Sequence, residues 1–82
     1  MILGSRKRIQ VRLLTHGVTA RLLRAGTYTL AEKASVKALL EEAGPLPSGI
    51  PLVILVAGER VEQGRRLSDG DEVTVLQFAA GG

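Results

Sequence analysis

The chain has 82 residues, of which 45% are hydrophobic and 23% are charged, and it contains no cysteine. This length and composition indicate one small globular domain, and the lack of cysteine excludes a disulfide scaffold, a thiolate metal site and a cysteine nucleophile. No apolar run reaches the roughly 18 residues of a membrane span and no secretory signal pattern appears, so we expect a cytoplasmic protein without a membrane partner.

Basic and acidic residues are unevenly distributed along the chain, whose formal net charge is +3. Residues 1–40 contain eight Lys and Arg and one acidic residue, whereas residues 41–82 contain three Arg and seven acidic residues. A basic half can bind nucleic acid or an acidic protein. Aromatic residues for base stacking are nearly absent, since only Tyr28 and Phe78 occur and they lie far apart. We therefore favour a solvated basic face that docks an acidic protein over nucleic-acid binding.

The first quarter of the chain predicts a strand followed by an ambiguous segment. Apolar and polar residues alternate over residues 8–13, which is the pattern of a half-buried strand, and Gly17 ends it. Residues 18–25 fit either a helical turn or a continued strand. A helical turn would place three apolar residues on one side: Val18, Leu22 and Ala25. A second strand is predicted over residues 27–30.

The clearest predicted element is a helix over residues 36–43. Its apolar residues have the i, i+3, i+4, i+7 spacing of one buried face: Val36, Leu39, Leu40 and Ala43. Ser35 is a suitable N-cap, and Gly44 followed by Pro45 ends the helix. Lys37 in the first turn and two glutamates in the last turn oppose the macrodipole. We therefore expect tertiary packing, and not intrinsic propensity, to stabilise this helix.

Three further strands are predicted after the helix. Residues 52–56 are apolar on both faces, a turn follows at Gly58, and a short strand is expected near residues 60–62. The last strand is predicted over residues 72–78. Two strands, a helix and three more strands are the order of a β-grasp, an α+β fold in which one main helix packs across one face of a mixed four- to five-stranded sheet.

The last strand has two different faces. Val73 and Val75 are expected to point toward the helix, and the alternating residues toward the open side of the sheet. On that open side we predict a partner-docking patch with an apolar centre and an arginine at its rim. The patch consists of four residues: Phe78, Leu76, Leu55 and Arg12. The alternative is that Leu76 and Phe78 fold over the sheet edge and extend the core.

The side chains become smaller toward the end of the chain: Ala79, Ala80, Gly81 and Gly82. Glycine has no Cβ, so such a segment can approach another protein's backbone closely. Residues 77–82 span about 20 Å when extended, which is enough to carry the terminal carboxylate into a partner's active site. The alternative is an ordinary frayed terminus. We predict a flexible N-terminus over residues 1–5, a single β-grasp domain over residues 6–76 and a flexible tail over residues 77–82.

Two sequence motifs precede this tail. Leu67-Ser68-Asp69-Gly70-Asp71-Glu72-Val73 leads into a short strand and the terminal Gly-Gly, and Val56-Ala57-Gly58-Glu59 forms a turn-like segment earlier in the chain. These motifs resemble the sulfur-carrier family of ubiquitin-like proteins, which includes the thiamine-pathway carrier ThiS and the molybdopterin synthase small subunit MoaD. The family's usual turn is Val-Asn-Gly-Glu, so alanine here replaces asparagine. The resemblance is specific over residues 52–82, only topological before that, and favours the helical turn over residues 18–25.

The resemblance implies a carrier that is a substrate of enzymes and not itself an enzyme, although such a chain could be the small subunit of a synthase complex. An ATP-dependent activating enzyme would adenylate the carboxylate of Gly82. A sulfur donor protein, either a cysteine desulfurase or rhodanese-like, would then convert it to a thiocarboxylate. An acceptor synthase or thiolase enzyme would take the sulfur, for cofactor biosynthesis or tRNA thiolation. The chain itself would bind no cofactor, because the activating enzyme consumes the ATP.

Two other functions remain open. The chain could be a ubiquitin-like modifier that is joined through Gly82 to lysines of other proteins. It could also be a basic β-grasp binding module whose glycines are incidental. We predict neither a catalytic set nor a metal site, because His16 is the only histidine and Asp69 and Asp71 fit the chemistry of a turn.

Overall fold

A computed structural model describes residues 7–45 and 49–78 of the chain. Along the chain the elements are β1 (Arg8–Thr15), α1 (Thr19–Leu22), β2 (Gly26–Ala31), α2 (Val36–Ala43), β3 (Leu52–Val56), β4 (Glu59–Val61) and β5 (Glu72–Gln77). The predicted N-terminal segment over residues 1–5 and the last four residues of the predicted tail lie outside the described residues. Within the described part, no helix has the length and apolar character needed to cross a membrane.

The strands form one five-stranded mixed sheet in the order β2-β1-β5-β3-β4. β1 pairs antiparallel with β2 and parallel with β5, while β3 pairs antiparallel with both β5 and β4. β5 is therefore the central strand, although it is the last in the chain. This arrangement, with α2 packed on one face, confirms the predicted β-grasp.

One buried cluster joins the inner face of the sheet to α2. The alternation predicted for β1 is confirmed, because Ile9, Val11 and Leu13 are all buried. The predicted apolar face of α2 is confirmed as well. The core consists of Ile9, Val11, Leu13, Leu23, Leu30, Val36, Leu39, Leu40, Ala43, Ile54, Val56, Leu67, Val73 and Val75.

The N-terminus of α2 is capped as predicted. The Ser35 hydroxyl accepts a hydrogen bond from the Ala38 N–H at 3.2 Å. The N–H groups of Val36 and Lys37 donate to backbone carbonyls of the β4–β5 loop, each at 2.9 Å. Three of the four N–H groups that a helix leaves without an internal partner are thus satisfied. This tertiary capping compensates for a first turn without acidic residues.

Residues 18–25 contain the helical turn α1, and the buried residues there differ from those predicted. Of the three apolar residues predicted to share one side, Val18 is 42% exposed and Ala25 is exposed, whereas Leu22 is half-buried and packs against the core. α1 ends at Leu22, after a single turn, and the backbone of Leu23 is extended, with φ −123° and ψ 141°. This change of backbone conformation directs Leu23 into the core, and Thr19 is the other buried residue of the segment.

The boundaries of three strands differ from the predictions by one residue. β2 is longer by one residue at each end, and β5 ends one residue before the predicted strand end at Phe78. β4 begins one residue earlier than expected, at Glu59. Gln77, which we predicted as the first residue of the tail, is the last residue of β5 because it pairs with Leu52 on β3. The next residue is also tied to the sheet, since the Phe78 N–H donates to the Pro51 carbonyl at 2.9 Å. Ordered structure therefore continues past the predicted domain boundary.

Candidate docking face and the base of the tail

The strand that leads into the tail is held on both sides. β5 pairs with β1 as far as Val75 and with β3 as far as Gln77. Val73 and Val75 are completely buried in the core that includes α2, as the alternation predicted. The residues between and after these valines consequently face the side of the sheet that α2 leaves open.

Half-buried apolar side chains surround β5 on the open side. Thr74 lies opposite Leu14 on β1 and opposite Leu55 on β3, and Leu76 lies opposite Val53. Phe78 follows at the end of the strand and is 47% exposed. We call this set the open-face patch: Leu14, Val53, Leu55, Leu76 and Phe78. The structure brings Leu55, Leu76 and Phe78 to the same face, and neither Leu76 nor Phe78 packs against the core.

Two arginines flank the open-face patch. Arg12 lies one row before Leu14 on β1, and its guanidinium is 3.6 Å from the Glu72 carboxylate. Both groups are largely exposed, so this ion pair contributes little stability and leaves Arg12 accessible to a partner. Arg60 on β4 pairs with Leu55 on β3 and is also exposed. The sequence analysis missed Arg60, because its position depends on the register of the β3–β4 hairpin.

A buried threonine anchors the end of β5. Thr19 is completely buried, and its hydroxyl lies 2.9 Å from the Val75 carbonyl oxygen on β5. The same hydroxyl lies 2.8 Å from the His16 carbonyl oxygen and accepts a hydrogen bond from the His16 N–H at 2.9 Å. Thr19 thus takes over the hydrogen bonding of β5 where β1 ends. The sequence analysis did not select Thr19; the available signal was a hydroxyl residue four positions after the end of β1.

The Asp-Gly-Asp segment has a structural role in this fold. The Asp69 carboxylate accepts a hydrogen bond from the Gln10 N–H at 2.8 Å, and the Gly70 N–H donates to the Gln10 carbonyl at 2.8 Å. The Asp71 carboxylate accepts from the Ser68 N–H, also at 2.8 Å. The loop therefore fastens the start of β5 to β1, which is the turn chemistry that the sequence predicted.

Potential metal ligands do not converge in the described part of the chain. Over residues 7–45 and 49–78, no group of three His or acidic side chains has the arrangement of a metal site. His16 is exposed and contributes its backbone to the Thr19 network. The predicted working residues of the tail lie outside the described residues: Ala79, Ala80, Gly81 and Gly82. The last described residue before them is Phe78, which belongs to the open-face patch.

Comparison with known families assigns the chain. The model of the ThiS family matches residues 20–82, from the first turn of α1 through the final glycine. The chain belongs to the ThiS family. Among solved structures, this ThiS-family chain is similar to SAMP1 from Haloferax volcanii, with a TM-score of 0.61 and 17% identity over 89% of this chain and 99% of that chain. A comparison with curated proteins found no significant match.

These comparisons support the suspected family at two levels. The family match confirms the resemblance to sulfur carriers of the ThiS and MoaD type. The similarity to SAMP1, at its low identity, shows the shared ubiquitin-like β-grasp fold. The chain is accordingly a ThiS-family protein with a ubiquitin-like β-grasp fold.

Proposed function

We propose that this ThiS-family protein is a sulfur carrier whose working group is the carboxylate of Gly82. The observation that carries the proposal is the family match, which extends through Gly81 and Gly82. The geometry of the described residues supports it, because β5 is central in the sheet and is anchored up to Phe78. A body of this kind presents a terminal segment from a fixed base, which is what a carrier requires.

The proposed chemistry follows from the low reactivity of a carboxylate. A partner activating enzyme transfers AMP from ATP to the Gly82 carboxylate and releases pyrophosphate. The acyl adenylate has a good leaving group, so the outer sulfur of a persulfide on a donor protein of the desulfurase or rhodanese-like type can displace AMP and form an acyl disulfide. A second cysteine thiol of the partner enzymes then attacks the donor cysteine sulfur, forms a disulfide with it and releases the thiocarboxylate. The thiocarboxylate is a sulfur nucleophile that a synthase or thiolase enzyme consumes. In this scheme Gly81 supplies backbone freedom, and Ala79 and Ala80 keep the tail narrow.

The open-face patch is the proposed contact surface for the activating enzyme. Its centre is apolar and includes Phe78, while Arg12 and Arg60 lie at its sides. Interfaces of moderate size commonly combine an apolar centre with a polar rim, and exposed aromatic residues often dominate their energetics. Since the tail leaves the fold beside Phe78, an enzyme seated on this patch would receive the tail directly.

The thiocarboxylate can be tested on the intact protein. The chain is produced together with its activating enzyme and a cysteine desulfurase, purified, and analysed by intact-protein mass spectrometry. We expect a mass increase equal to replacement of one oxygen by sulfur, located at Gly82 by fragmentation. The control is a chain that lacks Gly82, which should fold normally and acquire no sulfur. Sulfur on the truncated chain, or none on the full chain, would refute the proposal.

Conjugation to other proteins is the second proposed outcome, because a lysine amine can attack the same acyl adenylate. The two outcomes are distinguished by tryptic digestion of cell extracts. Trypsin cleaves after Arg66, so a conjugated lysine would carry residues 67–82 as its remnant. Such remnants without any thiocarboxylate would identify a modifier. A Gly82 deletion that leaves cellular activity unchanged would instead indicate a binding module.

A further inference from the structure

The sheet has an exposed edge at β2, which β1 separates from β5. β2 is the first strand in the sheet order, and within the described residues only β1 pairs with it. Thr27, Thr29 and Ala31 are exposed along this strand. Native proteins usually protect such an edge, for example with proline or lysine, and β2 contains neither. Its unpaired backbone groups are therefore open to pairing with another strand.

The hydrogen-bond pattern identifies which backbone groups face outward. The Glu32 N–H donates to the Lys7 carbonyl, so these two residues form a hydrogen-bonded pair of the antiparallel ladder. Along β1 and β2, hydrogen-bonded pairs then alternate with pairs that are not hydrogen-bonded to each other. In the intervening pairs the N–H and C=O groups of Thr27 and Thr29 point away from β1. The outer edge of β2 therefore offers two complete sets of backbone donors and acceptors in a line.

A groove accompanies this edge on the side of α2. Its cavity volume is about 360 Å³ between the end of β2 and the facing side of the helix. Ala34 and Ala38 form the helix side, and both are small and only partly buried. Leu30 lies at the base of the groove, and Glu41 and Glu42 lie along the helix. An additional strand would thus place small apolar side chains in this groove, while acidic side chains there would face the two glutamates.

The open side of the same edge has the opposite charge. Arg8 and Arg12 on β1 lie opposite Ala31 and Thr27, so each is one strand away from the exposed edge. The Arg12 guanidinium lies near Glu72 on the β5 side in an exposed, weak ion pair, and Arg8 also contributes to the lining of the groove. Ala31 and Thr27 have small side chains, so an arginine side chain of β1 can extend over β2 to a strand added at its outer edge. An added strand would therefore face cations on its open side. Its favoured sequence alternates apolar residues, which face the groove, with acidic residues, which face the arginines.

We propose that the outer edge of β2 is a second docking site, which binds an extended acidic segment of a partner protein as an additional strand. This mode of recognition combines backbone hydrogen bonds with alternating side-chain pockets. A second copy of the chain fits this edge less well, because antiparallel self-pairing of β2 would bring Arg24 before one strand toward Lys33 after the other. The site differs from the proposed contact surface of the carrier, since β1 separates β2 from β5, although Arg12 flanks both.

The proposal is tested by titrating the isotope-labelled full chain with a peptide in which valine alternates with glutamate. Saturable binding is expected, with amide shifts in β2 and α2. A matched peptide with lysine in place of glutamate, and one with alternate amides N-methylated, should each bind at least tenfold more weakly. Deletion of residues 79–82 should leave the affinity unchanged. This last result separates the site from the tail.

Two pairs of variants test the site from the protein side. Thr29→Pro removes only an outward N–H and should weaken binding at least tenfold, whereas Thr29→Val retains the N–H and should bind normally. Ala38→Gln fills the groove and should also weaken binding, whereas Lys37→Gln should not. Absence of saturable binding, equal binding of the lysine peptide, or shifts confined to the open-face patch would overturn the proposal. Self-association that Thr29→Pro abolishes would also overturn it, by assigning the edge to a second copy.

Discussion

The β3–β4 turn contains a residue with a Cβ where the backbone favours glycine or asparagine. Ala57 has a φ of +53° and Gly58 a φ of +82°. Two positive φ angles in a two-residue hairpin connection define a type I′ turn, which Asn-Gly fills without strain. An ordinary L-residue in this region costs about 1 kcal/mol. The alanine that replaces the family's usual asparagine is therefore a local defect in stability, away from the working residues.

We predict that Ala57→Asn raises the free energy of unfolding by about 0.5–1 kcal/mol, because asparagine tolerates the left-handed region. Urea denaturation followed by circular dichroism measures the change. Ala25→Asn is the matched control, since Ala25 is exposed and has no positive φ. An unchanged or lower stability for Ala57→Asn would show that the turn is not strained.

Thr19 gives a second prediction for a single residue. Thr19→Val keeps the shape of the side chain but removes the hydroxyl that lies against the Val75 carbonyl. We expect a loss of about 1–3 kcal/mol of stability, because buried backbone groups would lose their partner. Thermal denaturation provides the measurement, with the exposed Thr27→Val as control. Equal melting temperatures for the two variants would mean that the Thr19 hydroxyl does not anchor β5.

These two residues show what local sequence can and cannot predict. The turn at Gly58 was predictable, because glycine and its neighbours specify turn geometry within a few residues. The role of Thr19 was not, because its partner Val75 lies 56 positions later in the chain. Thr19 is buried because of tertiary packing, and a threonine in a helical turn does not by itself predict such burial.

Two helices meet at their C-terminal ends through a glycine. Gly44 follows α2 with a φ of +153°, and its N–H donates to the Leu40 carbonyl at 3.1 Å. A Cβ built at Gly44 would lie 2.6 Å from the carbonyl oxygen of Leu22, the last residue of α1. That neighbour is backbone and has little room to move. Glycine at this position therefore permits the close approach of α1 and α2.

We predict that Gly44→Ala lowers the stability by about 1–3 kcal/mol, since the added methyl group forces a backbone shift. The measurement is urea denaturation of the variant beside Gly64→Ala. At Gly64 an added Cβ meets nothing within 4 Å, so the control should change by less than about 0.5 kcal/mol. Similar values for both variants would contradict the packing argument.

The predictability of the elements depended on the strength of their periodicity. β1 and α2 were predicted well, because each has a single hydrophobic pattern that fits one kind of element. Residues 18–25 fitted two patterns equally, and the buried Leu23 depends on a change of backbone conformation at the end of α1. The end of β5 was placed one residue too late, at Phe78, because the strand ends where its pairing with β3 ends, at Gln77, and that register is not encoded locally.

At the scale of the whole molecule, the fold places its largest exposed aromatic residue beside the exit of the tail. We predict that Phe78→Ala lowers kcat/KM of adenylation by the activating enzyme about tenfold, which corresponds to about 1.4 kcal/mol of lost interaction. The value of kcat should stay close to that of the wild type. Lys37→Ala is the control, because Lys37 lies on α2 across the sheet from the patch. Equal kcat/KM values for the two variants would exclude the open-face patch as the contact surface.

The order of the strands in space was the part of the architecture least visible in the sequence. The alternation of residues in β5 predicted that Leu76 and Phe78 lie on the open face, because Val73 and Val75 face the core and alternate residues of a strand point to opposite faces. The position of Arg60 beside Leu55 depends on hairpin register, and the exposed edge of β2 depends on the strand order. Neither follows from local pattern, so Arg12 could be named at the rim of the patch from the sequence whereas Arg60 could not.

We propose that the terminal carboxyl group of Gly82 is the working part of this protein. This proposal is tested most directly by ATP–pyrophosphate exchange with the purified activating enzyme, using the full chain and a chain that lacks Gly82. We predict exchange that depends on the full chain, and none above background with the truncated one. Equal exchange with both chains, or no exchange with the full chain, would contradict the account.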